Sequence, residues 1–296
     1  MYQHENIVIV GIDGSPESHV ALRWACHVAI NRRASIRAVA AYSDETLRED
    51  AQTLLDEAIE TVRDLDVKLS TQTVQGDAVQ VLLEQSKVGA RIIVGQKGVD
   101  TPKAGQLGPV AHAVTSKAFC PVAVVPMDYS NKIPIKHIVV GVDGSDESKY
   151  ALNLAVRIAG RWGGKVSAIN AVNVGMSAGL LPSAQMTQEI LEDIRIGLED
   201  TVKEVLRGDE TVSVSCYAVE GSASDIMADF STTVDLVIVG TRGRGGLTGF
   251  LFGSTSQQIL KETHAPVIVV PPRATTTLHV KDSNVPWDIK DDPSAR

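Results

Sequence analysis

Aromatic residues make up 4% of this 296-residue chain, and cysteine occurs three times. The cysteines, Cys26, Cys120 and Cys216, are odd in number and show no CxxC spacing. That excludes a disulfide framework and fits small core residues in a reduced, cytoplasmic setting. No run approaches the ~18 apolar residues of a membrane-spanning helix. The opening MYQHENIVIVGIDGS enters a strand almost at once, without the charged region and cleavage site of a signal peptide. Positive charge is in deficit: 28 Lys and Arg stand against 36 Asp and Glu, a net charge of −8. A broad nucleic-acid surface is thereby excluded, though one local basic pocket is not. Several catalytic and binding signatures are also missing, namely GxxxxGK[ST], GxGxxG and HExxH. The seven histidines are scattered, and no close His/Asp/Glu cluster suggests a metal.

What the chain does have is a repeat. VIVGIDGSPESHVALRWA (8–25) lies over IVVGVDGSDESKYALNLA (138–155) at an offset of 130 residues. AFCPVAVVP (118–126) lies over THAPVIVVP (263–271) at an offset of 145, the surplus falling in NVGMSAGLLPSAQ (173–185). The length, enough for two domains of about 150 residues, agrees. The expected organisation is a first domain over 1–129, a second over 130–273, joined through YSNKIP, and a polar tail over 274–296, loosely packed with its isolated Trp287.

Within each half, short β-branched apolar runs alternate with stretches of helical periodicity. In the second half the strands read IVVGV, KVSAINAV, TVSVSCYAV, VDLVIVG and PVIVVP. Between them, Ile190, Leu191, Ile194, Leu198, Val202 and Val205 share one helical face; the first-half counterpart is Leu47, Leu54, Leu55, Ile59 and Val62. Unbroken apolar strands joined by helices imply parallel sheets covered on both faces. The expected fold class is α/β, two tandem Rossmann-like, doubly wound domains, each with a five-stranded parallel sheet.

GTRGRGGLTGFLFGSTSQ (240–257) joins the fourth strand of the second half to its last helix. Ligands of open α/β sheets bind beyond the carboxyl ends of the strands. A helix N-terminus there attracts phosphate, and glycine lets the backbone approach its oxygens. The alternative is a glycine-rich surface loop with Ser254 as a plain N-cap.

The pattern G-x2-G-x9-G-S, over Gly240, Gly243, Gly253 and Ser254, sits inside a repeat that opens with VGVDGS. It resembles the ATP-binding class of universal stress proteins over both halves. That resemblance implies ATP, with Mg²⁺ accompanying it, held mainly by the second half. It implies that Gly141, Val142 and Asp143 lie near the base and ribose, that Ala171 lines the adenine pocket, and that Gly240, Arg242, Gly243, Gly253, Ser254, Thr255 and Ser256 wrap the ribose and phosphates. On the residues alone, Asp143 and its twin Asp13 also suit an Asx-turn or N-cap ahead of the following helix. In the first half the glycines persist as Gly95, Gly98 and Gly108, but Pro109 and Ala111 stand where Ser254 and Ser256 do. Each lost hydrogen bond to a charged group removes about 1.5–3 kcal/mol. The first-half motif is therefore degenerate, although Lys97 and Lys103 remain.

No nucleophile or base is evident, so the expected function is a nucleotide-dependent regulatory, stress-response module acting on an unnamed protein partner. A slow ATPase or another adenine-nucleotide enzyme is the alternative, and a redox flavin or nicotinamide domain is disfavoured by the missing GxGxxG. His264, in the turn before the last strand, is expected to be structural. The apolar edges PVAVVP and PVIVVP should pair with each other inside one chain. Helical faces would remain for a homodimer of tandem chains.

Overall fold

The computed structural model describes residues 5–99, 106–129, 133–174, 183–208, 211–241 and 253–276. The first half runs β1 (Glu5–Gly11), α1 (Pro16–Arg32), β2 (Ser35–Tyr42), α2 (Arg48–Glu60), β3 (Leu69–Gln75), α3 (Ala78–Gln85), β4 (Gly89–Gly95), α4 (Pro109–Lys117) and β5 (Val122–Val125). The second runs β6 (His137–Gly141), α5 (Asp146–Trp162), β7 (Lys165–Val172), α6 (Ala184–Leu206), β8 (Val214–Glu220), α7 (Ala223–Ser231), β9 (Leu236–Gly240), α8 (Ser254–Glu262) and β10 (Val267–Val270), followed by α9 (Pro272–Thr276). The chain turns where the chemistry of its ends dictates. Ser15 and Ser145 cap α1 and α5 by accepting from the backbone N–H of Ser18 and Ser148, and Gly163 ends α5 with φ of 61°.

The strands form one ten-stranded sheet in the order β3-β2-β1-β4-β5-β10-β9-β6-β7-β8. Each half is a five-stranded parallel sheet whose strand order reverses beside its first strand, the doubly wound arrangement read from the sequence. The halves meet where β5 and β10 pair antiparallel, Val124 opposite Val267, Ala123 opposite Ile268 and Val122 opposite Val269. All six side chains are fully buried. One face of the sheet carries a core built on α1, α2, α5 and α6, the other a core built on α3, α4, α7 and α8. No helix among the described residues is long and apolar enough to cross a membrane.

Three details differ from the periodicity reading. Leu47 does not join α2; it ends a 3-10 turn over Glu45–Leu47 and is 42% exposed. Asp44 sets that turn by accepting from the backbone N–H of Thr46 at 2.9 Å. On α6 only Leu198 and Val202 are buried, because the N-terminal half of this 23-residue helix overhangs the sheet. The packed chain also runs past 273, since Ala274 on α9 is buried in the core. The expected tail, with Trp287, lies otherwise outside the described residues.

An ionised carboxylate between β5 and β10 would lose its water without gaining a cation, at several kcal/mol per group. Val122→Asp combined with Val124→Asp should therefore strip hydrogen-exchange protection from 267–269 while β2 keeps its own. Unchanged protection over 267–269 would show that the two edges do not depend on each other.

Candidate functional site

The carboxyl ends of β1 and β4, at Gly11 and Gly95, form the crevice of the first half, and those of β6 and β9, at Gly141 and Gly240, form the crevice of the second. In both, an aspartate follows the first strand. Asp13 Oδ1 accepts from the backbone N–H of Ser15 at 3.0 Å and from its hydroxyl at 2.6 Å. Asp143 Oδ1 accepts from Ser145 at the same 3.0 and 2.6 Å. Ser145 in turn caps α5, so the Asx-turn reading of this aspartate holds. The turn uses one carboxylate oxygen and aims the group at the crevice mouth.

The first-half crevice is a cavity of about 270 Å³, with Asp13, Ala41, Leu54, Val81 and Pro109 among its walls. Ala41 is the counterpart of Ala171 at the offset of 130. The loop after β4 is drawn over this cavity: Val99 N–H donates to Asp13 Oδ2 at 3.2 Å. A side chain at 98 would place its Cβ 2.2 Å from the same oxygen, so it would have to push the Asp13 carboxylate aside.

The glycine loops are closed at their base by matched backbone bonds. Gly108 N–H donates to Gln96 O at 2.9 Å, and Gly253 N–H donates to Thr241 O at 3.1 Å. A Cβ at 253 would lie 2.7 Å from that Thr241 oxygen, so Gly253 is there for close backbone approach. Gly253 is the N-cap of α8 and supplies no capping side chain. Ser254 and Thr255 are exposed in the first turn, and their N–H groups belong to the set that a helix start leaves without an intrahelical partner. Ser256 turns inward instead: it is 4% exposed, and its hydroxyl donates to Gly240 O at 2.9 Å, tying the helix start to the end of β9. Val142 is buried, its N–H bonded to Ile169 O at 2.8 Å, while Gly141 and Asp143 are half-buried. The pairing of β6 with β9 thus brings Gly141, Asp143 and Gly240 to one end of the sheet, and Gly253, bonded to Thr241, sets Ser254 beside it, while Ala171 lies near the end of the neighbouring β7. Arg242 and Gly243 lie outside the described residues.

Thr241 escaped the sequence reading. It is 2% exposed, and its Oγ1 has no hydrogen-bond partner, an orphaned hydroxyl at the root of the loop. Its position opposite Gln96 at the offset of 145 was the available signal. Gln96 itself donates from Nε2 to Leu260 O at 2.7 Å, joining the root of the first-half loop to α8 of the second half.

At α4 the same helix start begins with Pro109 behind the N-cap Gly108, again without a side-chain cap. Proline there offers neither N–H nor hydroxyl, and Ala111 replaces the tying serine. The first-half crevice keeps its apolar wall but lacks the N–H and the hydroxyl that Ser254 offers.

His264 reaches across the seam of the halves: its Nδ1 lies 2.9 Å from Asp128 Oδ2, and its backbone N–H donates to Ser231 Oγ at 3.0 Å. Burial pushes the Cys26 and Cys120 thiols up to about 12, which keeps both as inert core residues. No group of three or more His, Cys, Asp or Glu among the described residues is arranged to hold a metal.

The model of the universal stress protein family matches residues 5–126 and again 134–271. The chain is 30% identical over 289 residues to Universal stress protein Rv2005c of Mycobacterium tuberculosis strain H37Rv, covering 88% of this chain and 96% of that one. It is 28% identical over 292 residues to Universal stress protein Rv2623 of the same strain, covering 88% and 95%. The crystal structure of a universal stress protein from Archaeoglobus fulgidus superposes with a TM-score of 0.68 at 18% identity, covering 90% of this chain and 98% of that one, a likeness of fold. Matched twice along its length, with its two crevices built alike, the chain belongs to the universal stress protein family as a tandem member.

Proposed function

We propose that this protein is a nucleotide-dependent regulatory module that holds one ATP per chain, in its second half. The observation that carries this reading is the start of α8. It pairs an uncapped first turn and an exposed Ser254 with a glycine N-cap pressed against Thr241 O, at the carboxyl ends of β6 and β9. A helix start carries about half a positive charge, and its unpaired N–H groups suit phosphate oxygens. In this reading Asp143 and Gly141 face the ribose and base, Val142 backs them, and Ala171 lines the adenine wall. Gly240, Arg242, Gly243, Gly253, Ser254 and Thr255 take the phosphates. Ser256 holds the helix start against β9, and the enclosed, unpartnered Thr241 hydroxyl is one more polar group at the same place. Mg²⁺ would travel with the phosphates, neutralising their charge. The domain division at 129, the cytoplasmic setting, the protein partner and a homodimer of tandem chains belong to the same proposal; light scattering reads the last.

Titration calorimetry should give one ATP site per chain. Two equivalent sites would contradict the degeneracy of the first half. Ser254→Ala, which removes one hydrogen bond to a charged group of roughly 1.5–3 kcal/mol, should weaken binding about ten- to a hundredfold. Wild-type affinity in that variant would remove Ser254 from the site. Residual ATP turnover, measured against the same variant, separates a regulatory module from a slow ATPase.

ATP at a hundredfold excess over Kd should stabilise the fold by about 2.7 kcal/mol and raise its melting temperature. Gly253→Val, which forces a side chain into Thr241 O, should abolish that rise. A full ATP-dependent rise in this variant would mean that the loop root is not part of the site.

A further inference from the structure

α1 and α5 pack against one face of the sheet, and a small cavity lies beneath them at the seam of the two halves. Its walls are related by the repeat: Trp24 and Leu154, Asn31 and Arg161, and Arg32 and Trp162 are pairs at the offset of 130. Arg91 on β4 and Leu236 on β9 form a further pair at the offset of 145. One half thus fills a core strand position with leucine, and the other fills it with an arginine that is 2% exposed.

Four arginines line the cavity, Arg32, Arg91, Arg157 and Arg161, and none of the described residues lining it is acidic. Three N–H groups of the wall, Trp24 Nε1, Arg32 Nε and Arg91 Nε, are enclosed and have no hydrogen-bond partner. Among the described residues of the wall, the only unpartnered enclosed acceptor is Asn31 Oδ1. A water molecule accepts at two lone pairs, so it would leave one of the three donors unsatisfied. Burial, with Arg91 and Arg161 adding to it, pushes Arg32 down to about 9, and burial pushes Arg91 down to about 10. A guanidinium does not give up its proton in a protein, so the strain of the buried charge has to be met by a counter-charge. Arg32 and Arg161 sit in the last turns of α1 and α5, where helix carbonyls partly answer them. Arg91, on a strand, has no such dipole.

The geometry points to a binding site for a small inorganic anion in this cavity, held by the guanidinium groups of Arg91 and Arg32 and the indole N–H of Trp24. The volume of about 20 Å³ suits one halide or an oxyanion of similar size and excludes a nucleotide. The exposed Arg161 and half-buried Trp162 form the rim through which the ion enters. The anion would act as a counter-ion at the seam, held by first-half arginines in a wall that Arg157 and Arg161 of the second half complete. The site lies across the sheet from α4 and α8, so it stands or falls independently of ATP binding.

Chloride replacing gluconate at constant ionic strength tests the proposal, together with crystals soaked in bromide and measured for anomalous scattering. The melting temperature should rise saturably by a few degrees, and a bromide peak should appear between Arg91 and Trp24. Arg91→Leu, which copies the twin residue Leu236, should lose the chloride dependence. Should that variant not fold, Trp24→Phe removes one donor at nearly constant shape and should weaken chloride binding about tenfold or more. An empty cavity in bromide, an undiminished chloride dependence in Arg91→Leu, or unchanged affinity in Trp24→Phe would overturn it.

Discussion

The antiparallel pairing of β5 with β10 is the constraint on which the rest of the molecule depends. Each of these strands is apolar on both faces, because helices cover the sheet on both sides, and each ends its own parallel half. A half-chain alone would expose a row of backbone donors and acceptors flanked only by valine, alanine and isoleucine, an edge that invites aggregation. Two copies of one motif facing each other across an approximate two-fold axis must pair equivalent strands antiparallel, and three registered pairs suffice here. The duplication therefore satisfies within one chain what a single-repeat protein must satisfy by association.

Several consequences follow from that junction. Because the halves run in opposite directions, the carboxyl ends of their strands, and hence their crevices, open toward opposite ends of the sheet. The junction also brings equivalent helices together, α1 beside α5 on one face and α4 near α8 on the other. Gln96 reaches α8 to donate to Leu260 O, and Arg273, beyond β10, stacks 5.0 Å over the Phe119 ring before β5. A nine-residue helix thus carries the proposed phosphate donors at its first turn and is anchored to the other half at its last. The crevices are joined through packed structure and not through a flexible tether.

Much of this was legible in the sequence because the signals were repeated. The twin VGxDGS turns, the alternation of strands with helices and the apolar edge strands each occurred twice at a fixed offset. The details that were not legible depend on depth, which periodicity does not carry. The apolar stripe of α6 names a face but not how far the helix overhangs, so Ile190, Leu191 and Ile194 are only half-buried. Leu47 fits a helical stripe by spacing, yet Asp44 captures the preceding backbone in a tighter turn. Ser256 looked equivalent to Ser254, and one is inward while the other is exposed, because residues two apart on a helix point about two hundred degrees apart. Arg91 hid within the strand GARIIVG, where only its comparison with Leu236 marks it as unusual.

The two halves have diverged where the fold tolerates it and the proposed binding would not. At the first position of a helix, proline's fixed φ is already helical, and its missing N–H would have had no intrahelical partner. Pro109 therefore keeps α4 intact, with the loop root still closed by Gly108 N–H and Gln96 O. A ligand phosphate depends on the very groups that the helix leaves over, and those are what proline removes. Folding and binding thus place different demands on one position, so a duplicated site can lose its ligand chemistry while its architecture stays unchanged. The second half, with Ser254 at the same position, keeps the N–H and the hydroxyl on which the proposed site depends.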